Sequence, residues 1–390
     1  MDRIIKTKRE CPCCKGNKAE VLTTTDFLRE DSVLPKHYDI VCCMRCGMSF
    51  ADSNGTQEHY NQYYEKFNNY TYDAQIKIQS LEGTDYKAIY EYIIDHYDKS
   101  VKIIDVGCGG GILLQCLHEV GYDNIMGLDP CENSIRQLQK RNIAGRVGNI
   151  FADIHEEDLE AFDLILSTGV MEHIFDVDTY IKKLMQYMKD DTSAILVAVP
   201  SAEGFPKRMP PKPHCFNHEH INYFSIHTLD NTMRNHGLCR INDEYTILDK
   251  GGWVIYGVYQ RSKVKECIEK DTVSKDSILE YLTVWDRQVV DIENKINRIV
   301  KEQRTIIVFG VGCFLEWLLI CYPEVRRQIV FCVDNNPSKQ GKAFSSLEVF
   351  SSDKIKENED ATVLVCSMLY SSDIVKQLQS MNVSNPVIVL

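Results

Sequence analysis

Two short runs near the start of the chain carry the most specific chemistry. Cys11-Pro-Cys13-Cys14-Lys-Gly and Cys42-Cys43-Met-Arg-Cys46-Gly each hold a Cys-x-x-Cys pair, Cys11 with Cys14 and Cys43 with Cys46, and 28 residues separate Cys14 from Cys43. A pair closed by glycine makes a tight knuckle whose backbone N–H groups point at the thiolates. Two knuckles supply the four ligands of a closed tetrahedral zinc, a structural rather than a catalytic site. Cys13 and Cys42 are then spare thiols. The segment between the pairs has no basic run to neutralise phosphates, which argues against a nucleic-acid-binding ribbon. The metal is expected to substitute for a core too small to fold alone.

A third run with chemical potential, far along the chain, is His218-Glu219-His220, in a stretch with four prolines and three histidines between Pro206 and His220. Such a stretch is expected to be a loop. Imidazole titrates near neutrality and can take a proton, and a neighbouring carboxylate raises its basicity and stabilises the imidazolium. The same residue types can also bind a metal.

These groups need elements to hold them. Residues 101–111, VKIIDVGCGGG, read as a short β-branched strand ending in Asp105, then a turn with Gly107, Gly109, Gly110 and Gly111, then a helix with Leu113, Leu117 and Val120 on one face. The dinucleotide fingerprint wants a third glycine at position 112, where Ile112 stands, so NAD is the weaker ligand. The next strand, Ile125-Met-Gly-Leu-Asp129, ends in a carboxylate 22 positions after Gly107. Further strands are expected at FDLILST and at AILVAVP (194–200), and a closing hairpin from EYTIL (244–248) and WVIYGVYQ (253–260).

The run from Asp105 to Gly111, D-x-G-x-G-x-G, resembles motif I of class I S-adenosylmethionine-dependent methyltransferases. That resemblance implies that Asp105, Gly107, Gly109 and Gly111 shape the cofactor turn. It also implies that Asp129 accepts the ribose hydroxyls and that Asn149 and Ile150 border the adenine. Glu172 and His173 match the Glu-His of the loop after the fourth strand. His218-Glu219-His220-Ile-Asn-Tyr223-Phe224-Ser225 resembles the H-E-H-x-x-Y-F-S signature of a subset that includes nucleotide-sugar methyltransferases, many of which also carry an N-terminal zinc segment. In the sugar carbon-methyltransferases the Glu and His of this signature face substrate, which assigns those roles to Glu219 and His220. Those enzymes keep a tyrosine where Asn217 stands, and their second tyrosine has several counterparts here in Tyr63, Tyr64, Tyr70 and Tyr72. Methylation of carbon or of oxygen is therefore left open.

The chain as a whole suits this reading. Its 390 residues are 44% hydrophobic and 26% charged, enough apolar surface for two or three cores. Lys plus Arg number 44 against 56 Asp plus Glu, a net charge of −12, which argues against nucleic acid or an anionic membrane as partner. The charged opening MDRIIKTKRE lacks the apolar core of a secretory signal, so a cytoplasmic protein with reduced thiols is expected among its 16 cysteines.

Thr305 to Tyr322 is nearly long enough for a membrane span, but Gly310, Gly312 and Glu316 give it the order strand, turn, helix. From Ser277, read as an N-cap, Ile278, Leu282, Trp285, Val289, Ile292, Ile296 and Ile299 form a heptad seam, expected to pack on its own chain rather than on a second copy. Beyond it, IIVFGVG, IVFCVDNNP, ATVLVC and PVIVL repeat a nucleotide-binding-like half, with Asp334 lying 24 residues after Gly310. This part, with its Asp334-Asn-Asn-Pro337-Ser-Lys-Gln-Gly341 run, also resembles the C-terminal domain of the sugar methyltransferases.

The expected fold is α/β. A zinc-binding segment (1–70) precedes a Rossmann-like methyltransferase domain (71–262), an amphipathic linker helix (263–303) and a smaller Rossmann-like domain (304–390). The expected activity is methyl transfer from S-adenosylmethionine to a sugar or nucleotide-sugar, with His220 and Glu219 as general base and Zn²⁺ as a structural metal. The alternatives are an O-methyltransferase of another hydroxylated metabolite, a non-catalytic zinc-ribbon adaptor, and an NAD-dependent oxidoreductase using Gly310 and Asp334. The oligomeric state is open.

Overall fold

A computed structural model describes residues 3–26, 33–66, 81, 86–152, 154–208, 211–243, 254–263, 269–368 and 370–390. The EYTIL segment, Tyr70, Tyr72 and the expected boundary at 70/71 lie outside these. The chain divides into two compact units, one of Met1–Thr24, Asp31–Arg208 and His218–Leu279, the other of Thr25–Glu30, Met209–Asn217 and Glu280–Leu390.

The N-terminal part of the first unit is an antiparallel sheet of β1 (Ile4–Lys6), β2 (Lys18–Asp26), β3 (His37–Cys43) and β4 (Ser49–Asp52). A fifth, distant strand of two residues, Asn222–Tyr223, adds to its edge: Asn222 pairs with Phe50 and Tyr223 with Ser49.

The main sheet of this unit contains β5 (Ile103–Val106), β6 (Ile125–Asp129), β7 (Ala144–Val147), β8 (Leu164–Thr168) and β9 (Ala194–Pro200), all parallel. With the Asn222–Tyr223 strand numbered β10, the antiparallel β11 (Leu238–Arg240) and β12 (Val254–Arg261) complete the order β11-β12-β9-β8-β5-β6-β7. Strands β5, β8 and β9 are buried almost throughout, as strands covered on both faces must be. The strand order reverses between β5 and β8, so the loops leaving their C-terminal ends part to opposite sides and open a crevice.

The second unit carries a six-stranded sheet of β13 (Ile306–Phe309), β14 (Ile329–Val333), β15 (Ala343–Phe344), β16 (Leu347–Phe350), β17 (Thr362–Val365) and β18 (Val387–Val389). The order is β15-β16-β14-β13-β17-β18, parallel except for β15. The apolar stretch Thr305 to Tyr322 is β13, a glycine turn and the helix Cys313–Cys321. Among the described residues no helix is long and apolar enough to cross a membrane.

Two local expectations are corrected. The long helix runs Val273–Lys301, so Ser277 lies inside it; Asp271 caps it, its Oδ1 accepting the N–H groups of Val273 at 2.8 Å and Ser274 at 3.2 Å. Its seam residues Ile278, Trp285, Ile292, Ile296 and Ile299 are buried within the single chain. The proline-rich stretch holds two single helical turns, Phe205–Arg208 and Lys212–Cys215, because Pro213 sits in a first turn where its missing N–H costs nothing. At the sheet edge β11 pairs with Tyr259–Arg261 of β12; the expected hairpin partner, EYTIL, lies outside the described residues.

Candidate active site

A cavity of about 370 Å³ opens at the C-terminal ends of β5, β6 and β8. The turn after β5 forms one wall. Gly107, Gly109 and Gly111 have φ of 79°, 51° and 71°, left-handed values that favour glycine. They do different work. A Cβ on Gly107 would lie 2.5 Å from Val170 Cγ2, and one on Gly111 2.1 Å from Leu138 Cδ2, so both glycines permit close packing. A Cβ on Gly109 would meet no protein atom within 4 Å, and Gly109 lines the cavity. Gly111 does not line it: this glycine is the N-cap of the helix Ile112–Glu119.

Asp129, at the tip of β6, accepts the Gly109 N–H through Oδ2 at 2.9 Å and the Cys131 N–H through Oδ1 at 2.8 Å. Each oxygen keeps a second lone pair, and the residue lines the cavity. Burial raises its pKa, opposed by those two N–H groups. Asp105 also lines the cavity, with Oδ1 buried and without a hydrogen-bond partner. Desolvation, with Asp129 nearby, pushes its pKa up to about 7. Asn149 and Ile150 form a neighbouring part of the wall, the Asn149 carboxamide held by accepting the Phe151 N–H at 3.0 Å.

The cavity is also lined by Glu172 and His173, on a 3₁₀ turn after β8, and by His220. The rings of His173 and His220 meet edge to face with centroids 4.7 Å apart. The helix Gln57–Lys66 adds Tyr60 and Tyr64 to this wall, the Tyr64 hydroxyl lying 2.8 Å from His173 Nδ1. Gln57 anchors that helix by accepting the N–H groups of Phe175 and Asp176, each at 3.0 Å. Glu219 is not among the cavity-lining residues: its Oε1 accepts the Tyr63 hydroxyl at 2.6 Å and lies 3.8 Å from His218 Nε2.

Two buried residues that the sequence reading gave no role tie this wall to the N-terminal sheet. Asn222 donates to the carbonyls of Met171 at 2.9 Å and Ile174 at 2.7 Å, and its Oδ1 accepts from Arg9 Nη2 at 2.9 Å. The Arg9 guanidinium stacks over Phe175, 4.4 Å from the ring centroid. No spacing in the sequence signals either contact, because the partners lie 48 to 213 positions apart.

In the same N-terminal sheet, Cys11, Cys14, Cys43 and Cys46 converge. Their sulfurs all lie within 4.8 Å of one another, with Cys11–Cys46 and Cys14–Cys43 at 3.5 Å, and none is in a disulfide. A tetrahedron of thiolates around zinc, with Zn–S of about 2.3 Å, has S···S separations of roughly 3.8 Å, so the set fits that ion. Gly16 packs against it: a Cβ there would be 3.3 Å from both Cys14 Sγ and Cys43 Sγ. Cys13 and Cys42 are buried outside the cluster.

Residues 78–240 match the family described as a methyltransferase domain, and the strand order, the glycine turn and the paired Asp129 are those of a class I methyltransferase fold. Residues 302–389 match the family described as C2185-like, N-terminal. Among curated relatives, the mitochondrial ubiquinone biosynthesis O-methyltransferases of Bos taurus and Homo sapiens are 31% and 32% identical over 108 residues, 25% of this chain. The match spans only 29% of the length of each. Among solved structures, magnesium protoporphyrin IX methyltransferase of Synechocystis with bound S-adenosylmethionine aligns with a TM-score of 0.39 at 12% identity, over 54% of this chain and all of that one.

Proposed function

We propose that the protein transfers a methyl group from S-adenosylmethionine to a sugar, one carried on a nucleotide, with His220 as the general base and Glu219 beside it. One observation supports this above others: Gly109, Asp105 and Asp129 line the same cavity as His173 and His220. When bound, S-adenosylmethionine supplies an activated methyl group, so the protein's tasks are alignment and removal of a proton. The open face of Gly109 leaves room for the cofactor's backbone-hugging portion, the spare lone pairs of Asp129 suit two ribose hydroxyls, and the unpartnered Asp105 oxygen suits a cationic or N–H group. His220 takes the proton from the acceptor, from oxygen for an alcohol or from carbon beside a carbonyl for a ketosugar. The four-cysteine cluster holds a structural Zn²⁺ in this reading, and residues 1–70, 71–262, 263–303 and 304–390 are its working divisions.

Oxygen methylation of another small hydroxylated metabolite is the second reading, favoured by the similarity to ubiquinone O-methyltransferases and by Asn217. Calorimetry with S-adenosylmethionine and S-adenosylhomocysteine tests the cofactor assignment. Micromolar binding to the parent protein, lost at least tenfold in Asp129→Ala, is expected, and no binding at millimolar cofactor refutes the reading. With a panel of nucleotide-sugars and phenols, NMR of ¹³C-methyl product separates an ether methyl from a carbon-bound one.

A further inference from the structure

Glu172 is 3% exposed and lines the cavity, yet its Oε2 has no hydrogen-bond partner. Its Oε1 lies 3.8 Å from His173 Nε2, and one carboxylate oxygen of Glu172 and one ring nitrogen each of His173 and His220 fall within 4.8 Å of one another. The backbone fixes this cluster: the Glu172 carbonyl accepts the Ile221 N–H at 2.9 Å, joining the turn after β8 to the residue next to His220. His173 Nδ1 lies 3.1 Å from the Glu219 carbonyl oxygen. The Tyr64 hydroxyl lies 2.8 Å from the same Nδ1; in the tautomer that donates from Nδ1 to the Glu219 carbonyl, the Tyr64 oxygen accepts as well and Nε2 is the basic atom, on the side of Glu172.

A buried carboxylate without a hydrogen-bonded cation is costly, and it is relieved when a neighbouring imidazole becomes imidazolium. Abstraction of a proton from a bound acceptor creates that imidazolium. Glu172 therefore interacts most strongly with the state that follows proton transfer, the differential interaction that lowers a barrier.

We propose that Glu172 is a positioning carboxylate that makes the His173–His220 pair a proton acceptor, by stabilising the imidazolium form of either ring. This rests on the methyl-transfer reading only for the source of the proton. The carboxylate itself is held towards its neutral form by burial and towards its ionised form by His173. Other titratable groups lining the cavity are Tyr60 and Tyr64 from the helix Gln57–Lys66, Tyr180 from the helix Val177–Gln186, and Asp105 from β5; Glu219, next to His220 in sequence, lies off the cavity and accepts from Tyr63.

The test needs no substrate, so its outcome is separate from that of the transfer reaction. In full-length protein labelled with ¹³C-histidine, the ring resonances of His173 and His220, assigned by His173→Gln and His220→Gln, are titrated from pH 5 to 9. Glu172→Gln keeps the shape and the backbone bond; Glu172→Asp keeps the charge. The expected result is that at least one ring's midpoint falls by about one pH unit or more in Glu172→Gln and is largely restored in Glu172→Asp. Once an acceptor is known, Glu172→Gln is expected to lower kcat by about 10²-fold with cofactor affinity within about threefold. Unchanged midpoints in Glu172→Gln overturn the proposal. So does a divalent cation found at one equivalent beyond the cysteine site and lost in Glu172→Gln, since the cluster would then be a metal site.

Discussion

Asn222 stands opposite Phe50 in the antiparallel ladder between β10 and β4, so the strand that follows the loop histidines belongs to the cysteine-bearing sheet. Cys43, the last residue of β3, and Asn222, two residues after His220, are thus connected through the ladders β3–β4 and β4–β10 of one sheet.

The first prediction concerns the metal. Purified protein should contain one zinc per chain, and Cys43→Ser should lose it. Because β3 ends at Cys43 and pairs β4, which pairs β10, methyl transfer should fall at least tenfold while S-adenosylmethionine affinity stays within about threefold. Metal analysis and calorimetry on the same preparation check this; zinc-free protein with full turnover contradicts it.

Asn222→Ala tests the junction directly. It removes both donors to Met171 and Ile174 and strands the Arg9 guanidinium in a buried site. Each buried polar group left unsatisfied costs about 1–3 kcal/mol, so a loss of roughly 2–5 kcal/mol by urea unfolding is expected. Asn222→Asp keeps the acceptor for Arg9 but sets a carboxylate oxygen against the Met171 and Ile174 carbonyls, so it should not restore stability.

The glycine turn predicts two distinct phenotypes. Gly109→Ala incurs only the left-handed backbone cost, about 1–2 kcal/mol, and fills space at the cavity wall, so cofactor affinity should fall more than melting temperature. Gly111→Ala adds a clash with Leu138, which is fully buried, and should destabilise the whole unit. Thermal shift with and without cofactor separates the two.

Asp105 predicts a pH dependence of stability. An acid whose folded pKa is raised, here from 3.8 to about 7, holds its proton in the folded state after the unfolded chain has released it. Stability without cofactor therefore declines between about pH 4 and pH 7 and levels off above, by up to about 4 kcal/mol from this group. Asp105→Asn should flatten that decline, its advantage over the parent growing from near zero at pH 4 to its maximum above pH 7. Denaturant titrations at four pH values measure it; equal slopes in both proteins contradict the assignment.

What the amino-acid order determined by itself is the part encoded in short-range spacing. The Cys-x-x-Cys knuckles, the glycine turn between a β-branched strand and a helix, and the acid at the tip of β6 each reflect contacts within a few residues or one β-turn-helix unit. The strand and helix of Thr305 to Tyr322 were legible for the same reason: glycines interrupt a run whose two halves differ in β-branching.

The start of the long helix was misread at Ser277 because two good capping residues lie close together, and only the backbone bonds to Asp271 decide between them. The association of Glu172 and His173 with His220 was not legible. Those groups lie 47 or more positions apart, and the bond from Ile221 to the Glu172 carbonyl brings them together once β10 is paired with β4. Local pattern fixes which residues can do chemistry; long-range pairing, with its loop-closure entropy offset by a buried hydrogen-bonded junction at Asn222, decides which of them meet.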